Sequence, residues 1–144
     1  MLFRSFWRFT TVSQDGVGRM ISRDLDSLLN WREKAAVDDW VASGMAFHVM
    51  RDNPSHDTPI LGGMWGCAGG LLPMDEMVDR WMASVPDSCK HGSDQLFLSK
   101  EVWPIVRTRA ISHGLHGTQF PCAICRPFPG HAPIPFKFVG ETVL

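Results

Sequence analysis

Short apolar runs alternate with longer stretches of mixed polarity along the chain. The runs at residues 17–23 and 45–50 have the length of strands, and turn-forming residues follow each of them. A third run, at residues 60–66, has Gly62 and Gly63 at its centre, and glycine within a strand often marks the close approach of a ligand or another backbone. A fourth short strand is expected within residues 105–112. Strands that alternate with helices predict an α/β fold, with a mixed sheet flanked by helices.

The first of the intervening helices is the best defined by sequence. Asn30 precedes Glu33 by three positions, a spacing typical of a helix N-terminus, and Gly44 is a typical helix end. The apolar stripe between them consists of Trp31, Ala35, Val37, Trp40 and Val41. We therefore expect a helix over residues 31–43, with Trp31 and Trp40 in the core.

Two further helices are predicted in the second half of the chain. One opens at residues 73–76, where proline suits the first turn and the acidic residues suit the N-terminus, and it places Trp81 in the core. The next begins with Ser93, Asp94 and Gln95 as a cap and is interrupted before Pro104. For Trp65, beside the glycine pair, core packing is favoured over stacking on a ligand.

The two ends of the chain have weaker patterns. Residues up to Thr11 are interpreted as a strand or an extended arm. Residues 114–144 are rich in Gly, Pro and His, and predict a loop-rich tail with at most one strand, near residues 136–140. The length of 144 residues suits one domain that spans the whole chain.

Composition excludes several classes of partner and location. The net charge is −1, from 14 basic and 15 acidic residues, so we expect binding neither to nucleic acid nor to an anionic membrane surface. No stretch is apolar enough to span a bilayer, and the N-terminus lacks the features of a signal peptide. The four cysteines are then expected to be reduced thiols of a cytoplasmic protein.

Asp24 and Asp26 stand at the end of the first predicted strand. Residues two apart on a strand share a face, so their carboxylates can converge. Two hard oxygen ligands suit Mg²⁺ or Mn²⁺, which fill their other positions with water and phosphate oxygens. The same residues are also ordinary turn and helix-start residues, so both interpretations stay open at this point.

Four segments taken together resemble glycosyltransferases of the type A fold, which carry an Asp-x-Asp strand. The segments are SRDLDS at 22–27, HVMRD at 48–52, ILGGMWG at 60–66 and GSDQLFL at 92–98, and the similarity covers residues 17–113. The resemblance implies a partial nucleotide-diphospho-sugar transferase fold. It also implies transfer of a sugar from a nucleotide-sugar donor to a carbohydrate or another hydroxyl acceptor.

The resemblance further implies a role for each site residue. Asp24 and Asp26 would hold Mn²⁺ or Mg²⁺ against the donor diphosphate, with His113 as an additional metal ligand. Gly62 and Gly63 would line the donor sugar, and Gln95 would contact hydroxyl groups. Asp94 would be the catalytic base in an inverting reaction. Arg51 and Asp52 are placed at the rim of the site, near the donor.

The family carries a nucleotide-binding half before the Asp-x-Asp strand, whereas only residues 1–16 precede that strand here. The expectation is that much of this half is lacking. The chain would then be a fragment, would complete the site with another chain, or would be a non-catalytic binding or assembly module that keeps the fold. An unpaired sheet edge would also favour self-association into a homo-oligomer.

A different class of function is suggested by Cys122 and Cys125, which form half of a zinc motif. Candidate partners are Cys67, Cys89, His113, His116 and His131. Because a second Cys-x-x-Cys pair is missing, two free thiols are the favoured interpretation, and a small zinc-stabilised module is the alternative.

Overall fold

In the part of the chain that the structure describes, five strands form one mixed sheet in the order β1-β3-β2-β4-β5. The computed structural model describes residues 4–85, 90–114, 119–130 and 138–142. The strands are β1 Arg19–Arg23, β2 Phe47–Arg51, β3 Met64–Ala68, β4 Ala110–Gly114 and β5 Ile124–Arg126. β3 runs antiparallel to β1 and β2, whereas β2, β4 and β5 run parallel to one another. The predicted α/β class with a mixed sheet is confirmed.

Five α-helices accompany the sheet in the described part of the chain. They are α1 Arg4–Thr10, α2 Trp31–Ser43, α3 Met74–Ser84, α4 Ser93–Phe97 and α5 Trp103–Val106. A 3₁₀ turn, Thr11–Ser13, extends α1, and another, Arg107–Arg109, leads from α5 into β4. Within the described residues, no helix combines the length and apolar character needed to cross a membrane.

The N-terminal segment is a helix, so the prediction of a strand or an extended arm was wrong. Phe6 and Phe9 are fully buried, while Trp7 is exposed, and this three-residue spacing is that of a helix face. Both phenylalanine rings pack on Phe97 of α4, with centroids 5.6 and 6.4 Å away. Residues with a high strand propensity were thus placed in a helix by packing from distant parts of the chain.

The predicted limits of α2 are confirmed, but of its two tryptophans predicted to be buried only Trp40 is. The Asn30 side chain accepts a hydrogen bond from the Glu33 N–H over 2.8 Å, and Gly44 ends the helix with φ +69°. The buried residues are Glu33, Ala36 and Trp40, whereas Trp31 is 83% exposed. The placement of Trp31 in the core was wrong because a buried ion pair made by Glu33 turns a different face of the helix inward.

The third predicted helix begins at Ser93 and passes through a wider turn. Gly92 occupies the N-cap position of α4, so no side chain caps this helix. A π-helical turn over Leu98–Val102 then leads into α5. In place of the predicted interruption before Pro104, the chain changes to this wider turn and stays helical through Pro104. Proline lacks an N–H group and crowds the carbonyl four residues earlier, which a wider turn can relieve.

The core contains a large aromatic group beneath α1, α3 and α4. Phe6, Phe9, Trp65, Trp81 and Phe97 belong to it and are buried. A smaller cluster on the side of α2 contains Ala36, Met50, Met64, Phe128 and Val139. The predicted burial of Trp40 and Trp81 is confirmed, and so is core packing for Trp65.

In the described part of the tail, residues 119–130 and 138–142, the one strand is β5, and the strand predicted near residues 136–140 falls partly on residues outside it. Residues 131–137 lie outside the described part of the chain, and residues 138–140 are not in a strand. Thr142 forms a single bridge with Ser27, which attaches the end of the described chain to the turn after β1.

Candidate functional site

Arg8 joins two carboxylates, Asp24 and Asp94, that are far apart in the sequence. One guanidinium nitrogen, Nη1, donates to Asp24 Oδ1, and the other, Nη2, lies 3.2 Å from Asp94 Oδ2. Asp24 directly follows β1, Asp94 is in the first turn of α4, and Arg8 is on α1. The exposed fractions of the three side chains are 28% for Arg8, 49% for Asp24 and 18% for Asp94. A cation shared by two partly solvated acids is the centre of this site.

The turn before β3 contains two glycines, Gly62 and Gly63, and their backbone lies against the Arg8–Asp24 ion pair. A Cβ atom on Gly62 would lie 2.6 Å from Arg8 Nη2, and one on Gly63 would overlap the Asp24 carboxylate. Ser22 of β1 donates to the Gly62 carbonyl over 2.6 Å, so the turn is held against the neighbouring strand. The approach expected at the glycine pair was that of a ligand or another backbone, whereas side chains approach it here. The neighbours are groups of the chain itself.

Gln95 fixes the same turn from the opposite side. Its amide oxygen accepts a hydrogen bond from the Gly62 N–H over 3.0 Å. Its amide nitrogen donates to Thr58 Oγ1 over 3.3 Å and to the Ile60 carbonyl. In this arrangement both ends of the Gln95 side chain are used to hold the loop. We refer to Arg8, Asp24, Gly62, Gly63, Asp94 and Gln95 together as the Arg8 cluster.

Asp26 lies beside the cluster on an exposed turn. The Ser27 N–H donates to the Asp24 carbonyl over 3.3 Å, so the chain turns here, as the alternative interpretation of this motif as turn chemistry expects. Asp26 and Leu25 are exposed. Two carboxylates at a strand end supply the oxygen ligands that Mg²⁺ or Mn²⁺ takes from a protein. Their chemistry fits such an ion, and any ion there would compete with Arg8 for Asp24.

Among the described residues, no group of three or more His, Cys, Asp or Glu side chains is arranged to hold a metal ion. His113 does not join Asp24 and Asp26. It lies on β4, which is separated from β1 by two other strands, or by roughly 14 Å at ordinary strand spacing. Both of its ring nitrogens are engaged, Nδ1 with His48 and Nε2 with Asp39, each over 2.9 Å. Neither nitrogen is free to bind a metal in this arrangement.

The His113 contacts belong to a buried polar chain that sequence reasoning missed. It runs from His48 through His113 to Asp39, which also accepts from Arg126 over 2.9 Å. The His48 ring stacks on Trp40 at 5.3 Å, and its Nδ1 atom is buried without a hydrogen-bond partner. Since Asp39 accepts from His113 Nε2–H, His113 Nδ1 accepts in turn from His48 Nε2–H.

Burial determines the protonation of this chain. It lowers the pKa of His48 to about 3, and the neighbouring charge of His113 acts in the same direction. Burial also lowers the pKa of His113, against the hydrogen bond to Asp39. The hydrogen bond from His113 in turn lowers the pKa of Asp39. The chain is therefore neutral at both histidines and negative at Asp39 near neutral pH.

Arg51 and Asp52, which were expected at the rim of the site, are buried. Arg51 Nη2 donates to Ser112 Oγ over 2.6 Å, and its guanidinium lies 5.1 Å from the centre of the Phe120 ring. Asp52 accepts two hydrogen bonds from Arg32, over 2.7 and 2.8 Å. Polar atoms are costly to bury without hydrogen-bond partners, and both side chains have such partners. These hydrogen bonds hold neighbouring loops against the sheet.

A second buried ion pair links β1 to α2, and here too each buried side chain has a partner. Arg23 Nε lies 2.6 Å from Glu33 Oε1, and Arg23 Nη1 donates to the Gly63 carbonyl over 2.9 Å. Burial raises the pKa of Glu33, and the charge of Arg23 opposes that shift. Arg23 thus supports the glycine turn of the Arg8 cluster from behind.

The zinc alternative has two described sulfur ligands in contact. Cys122 and Cys125 have their Sγ atoms 2.7 Å apart. Of the other candidate ligands, Cys89, His116 and His131 lie outside the described residues, Cys67 is buried in β3, and His113 is engaged as above. The zinc prediction therefore stays a prediction.

Arg8 is the principal residue of the site that the sequence analysis missed. The helical spacing of Phe6 and Phe9 would have placed Arg8 on a helix that packs on the sheet, but their strand propensity obscured it. Comparison of this chain with models of protein families, with curated proteins and with solved structures found no match.

Proposed function

We propose that the Arg8 cluster binds a nucleoside-diphosphate sugar together with Mn²⁺ or Mg²⁺, and that the chain is a glycosyltransferase-like domain. The observation that carries this proposal is the convergence of Asp24, the Gly62–Gly63 turn and Asp94. These come from three of the four segments that resemble type A glycosyltransferases. Convergence of segments far apart in sequence supports the resemblance more strongly than any single motif.

The chemistry of the cluster suits an anionic ligand that carries hydroxyl groups. Arg8 offers a guanidinium that is partly exposed and can pair with phosphate oxygens in place of a carboxylate. The glycine turn carries no side chains, and the space beside it, which Arg8 and Asp24 occupy in this structure, would become available to a sugar ring if Arg8 changed partners. The Asp94 carboxylate, at 18% exposure, is placed to accept a hydrogen bond from a hydroxyl group.

A bound divalent cation would supply positive charge for the diphosphate leaving group, with Asp24 and Asp26 as its protein ligands. The residues of the chain then have separate tasks. Asp94 would accept the proton of the acceptor hydroxyl in an inverting reaction, Gln95 would keep the glycine turn in place, and Arg8 would hold Asp94 and the phosphate groups in register.

Nucleotide binding with and without metal tests this proposal. We expect uridine or guanosine diphosphate to bind in the presence of Mn²⁺ and to lose at least tenfold in affinity in Asp24→Asn and Asp26→Asn, as expected for loss of a ligand to a divalent ion. Asp79→Asn is the matched control, because Asp79 is an exposed carboxylate on α3. Absence of Mn²⁺-dependent binding by the unmodified chain, or equal losses in the control, would contradict the proposal.

A second candidate is a non-catalytic binding or assembly module, and a specific surface favours it. Leu25, Leu28, Leu29 and Trp31 are 106%, 56%, 75% and 83% exposed, and they follow directly on β1, an edge strand of the sheet. Contiguous exposed apolar residues often mark interaction sites. Sedimentation of the full chain tests this candidate. Self-association that is lost in Leu29→Ser with Trp31→Ser would support it, and a monomer at all concentrations would count against self-assembly.

A further inference from the structure

Two cysteines of the tail have their sulfur atoms in direct contact at the surface. The Sγ atoms of Cys122 and Cys125 are 2.7 Å apart, Cys125 is exposed, and Cys122 is half-buried. The Cys122 S–H also lies 3.0 Å from the Ile124 carbonyl, which it can reach as a donor. The two thiols are thus adjacent, and one of them faces solvent.

The backbone on each side holds this arrangement in place. Cys125 is in β5, in register with Ser112 of β4. The Ala123 N–H donates to the Arg107 carbonyl over 2.9 Å, which ties the preceding turn to the loop before β4. The pairing of β5 with β4 and the hydrogen bond of Ala123 thus hold the backbone between the two cysteines, so their sulfur atoms stay close together. Little conformational entropy would be lost on joining them.

A buried cation lies behind the pair. The Arg51 guanidinium donates to Ser112, the residue opposite Cys125, and within the described chain no carboxylate pairs with it. Burial lowers the pKa of Arg51, and negative charge on Cys122 or Cys125 would oppose that shift. A positive charge near a thiol favours its thiolate. The environment is therefore electropositive on the protein side of the pair.

The two thiols differ in their exposure to an oxidant. Burial raises the pKa of Cys122 to about 12, its hydrogen bond to Cys125 adds to this, and Arg51 acts against it. Cys122 is thus held as a thiol behind the exposed Cys125. Cys125 is the sulfur that a molecule in solution meets first.

We propose that Cys122 and Cys125 form a redox-active dithiol, which a small-molecule disulfide such as oxidised glutathione converts to an intramolecular disulfide. Cys125, as its thiolate, attacks one sulfur of the glutathione disulfide, and one glutathione thiolate leaves. Cys122 then loses its proton to solvent, and its sulfur attacks Sγ of Cys125, which releases the second glutathione. Two protein thiols are oxidised, and one glutathione disulfide is reduced to two thiols.

Cys67 provides an internal comparison. It is fully buried in β3, burial raises its pKa to about 12, and its S–H group lies 3.0 Å from the Ala68 carbonyl. Buried thiols of this kind are unreactive because an oxidant cannot reach them. We expect Cys67 to remain reduced under conditions that oxidise the pair.

The test uses the full chain with Cys89→Ser, so that the cysteine outside the described residues cannot compete. The reduced protein is incubated with mixtures of reduced and oxidised glutathione, the remaining thiols are alkylated, and the protein is analysed by peptide mass spectrometry. Alkylation of Cys122 and Cys125 should be lost together, with one peptide lighter by two hydrogen atoms. In Cys122→Ser the second step is blocked, so a glutathione adduct should accumulate on Cys125.

Two results would overturn the proposal. One is full alkylation of both cysteines in a mixture that oxidises a reference dithiol peptide with the same spacing. The other is a glutathione adduct that persists on Cys125 in the parent protein as it does in Cys122→Ser. The control Cys67→Ser should oxidise like the parent. None of these results depends on nucleotide or Mn²⁺ binding.

Discussion

Nη2 of Arg8 lies 3.2 Å from the carboxylate oxygen Oδ2 of Asp94, and the same guanidinium also pairs with Asp24. The N-terminal helix α1 thus supplies the cation that pairs with both acids. The resemblance had implied a metal ligand at Asp24 and a catalytic base at Asp94. Under the proposed function a divalent ion or a diphosphate would act at this pair, and its binding would require Arg8 to change partners.

The first prediction concerns competition between Arg8 and Mn²⁺. In Arg8→Gln, Asp24 is released from its ion pair, and we expect Mn²⁺ to bind about fivefold more tightly without nucleotide, since a partly exposed pair of this kind contributes about 1 kcal/mol. Titration followed by the spectrum of free Mn²⁺ measures this. Arg80→Gln is the control, because Arg80 is exposed on α3. Unchanged or weaker Mn²⁺ binding in Arg8→Gln would show that the two cations do not compete.

The second prediction concerns the glycine turn. In Gly63→Ala the new methyl group would displace the half-exposed Asp24 carboxylate from its ion pair with Arg8, so we expect a loss of about 1 kcal/mol in the free energy of unfolding, the upper end for a partly exposed pair. Denaturant unfolding measures it. Gly18→Ala is the matched control, since a Cβ atom there meets nothing within 4 Å. If the two variants were equally stable, the Asp24 carboxylate would not lie against Gly63 in solution.

The third prediction concerns the buried ion pair between β1 and α2. Glu33→Gln leaves the Arg23 guanidinium largely buried without its counter-charge, so a loss of about 2 kcal/mol or more is expected. On the same helix, the Lys34–Asp38 pair is exposed, with side chains 59% and 62% accessible. Asp38→Asn should therefore change the free energy of unfolding by no more than about 0.5 kcal/mol. Similar losses in the two variants would contradict this difference in burial.

The fourth prediction concerns acid unfolding. The pKa of His48 is about 3 in the folded chain and near its ordinary value of 6.5 when unfolded. Between these values the unfolded state binds more protons, so stability is complete above pH 6.5 and is lost as the pH falls toward 3. One such group gives a slope of about 1.4 kcal/mol per pH unit.

Other groups add to this slope or oppose it. The lowered pKa values of His113 and His56 act in the same direction below pH 6.5. The raised pKa of Glu33 acts in the opposite direction above pH 4.5, because its folded form retains a proton longer. Unfolding free energies measured from pH 7 to pH 5 in His48→Gln should show a shallower slope than the parent. His91→Gln, at an exposed position, should not. A parent slope near zero would contradict the neutral buried pair.

The parts of the fold that were predictable depend on contacts close in sequence. The ends of α2 follow from one side chain at Asn30 and one backbone conformation at Gly44, and both are local. The position of β1, the turn at Asp24 and Asp26, and the start of α4 at Ser93 are likewise set within a few residues. The inward face of α2 was not predictable in this way, because it depends on Arg23 of another element.

The candidate site divides along the same line. Five residues of the site could be named from sequence motifs, because each belongs to a short segment whose residue types are recognisable by themselves. They are Asp24, Gly62, Gly63, Asp94 and Gln95. Their convergence on Arg8, and the burial of Arg51 and Asp52, could not be read from such neighbourhoods. Side-chain burial and ion pairing are decided by which elements meet across the sheet.

The sequence by itself thus determined the α/β class, several element limits and the residues that surround the glycine turn, because periodicity, caps and turn residues act over short distances. Only the tertiary structure decided that the N-terminus is a helix, that Arg8 holds Asp24 and Asp94, and that His113 pairs with His48 and Asp39. Each of these depends on desolvation and charge pairing between distant residues, and the energies of such contacts exist only after the chain has packed.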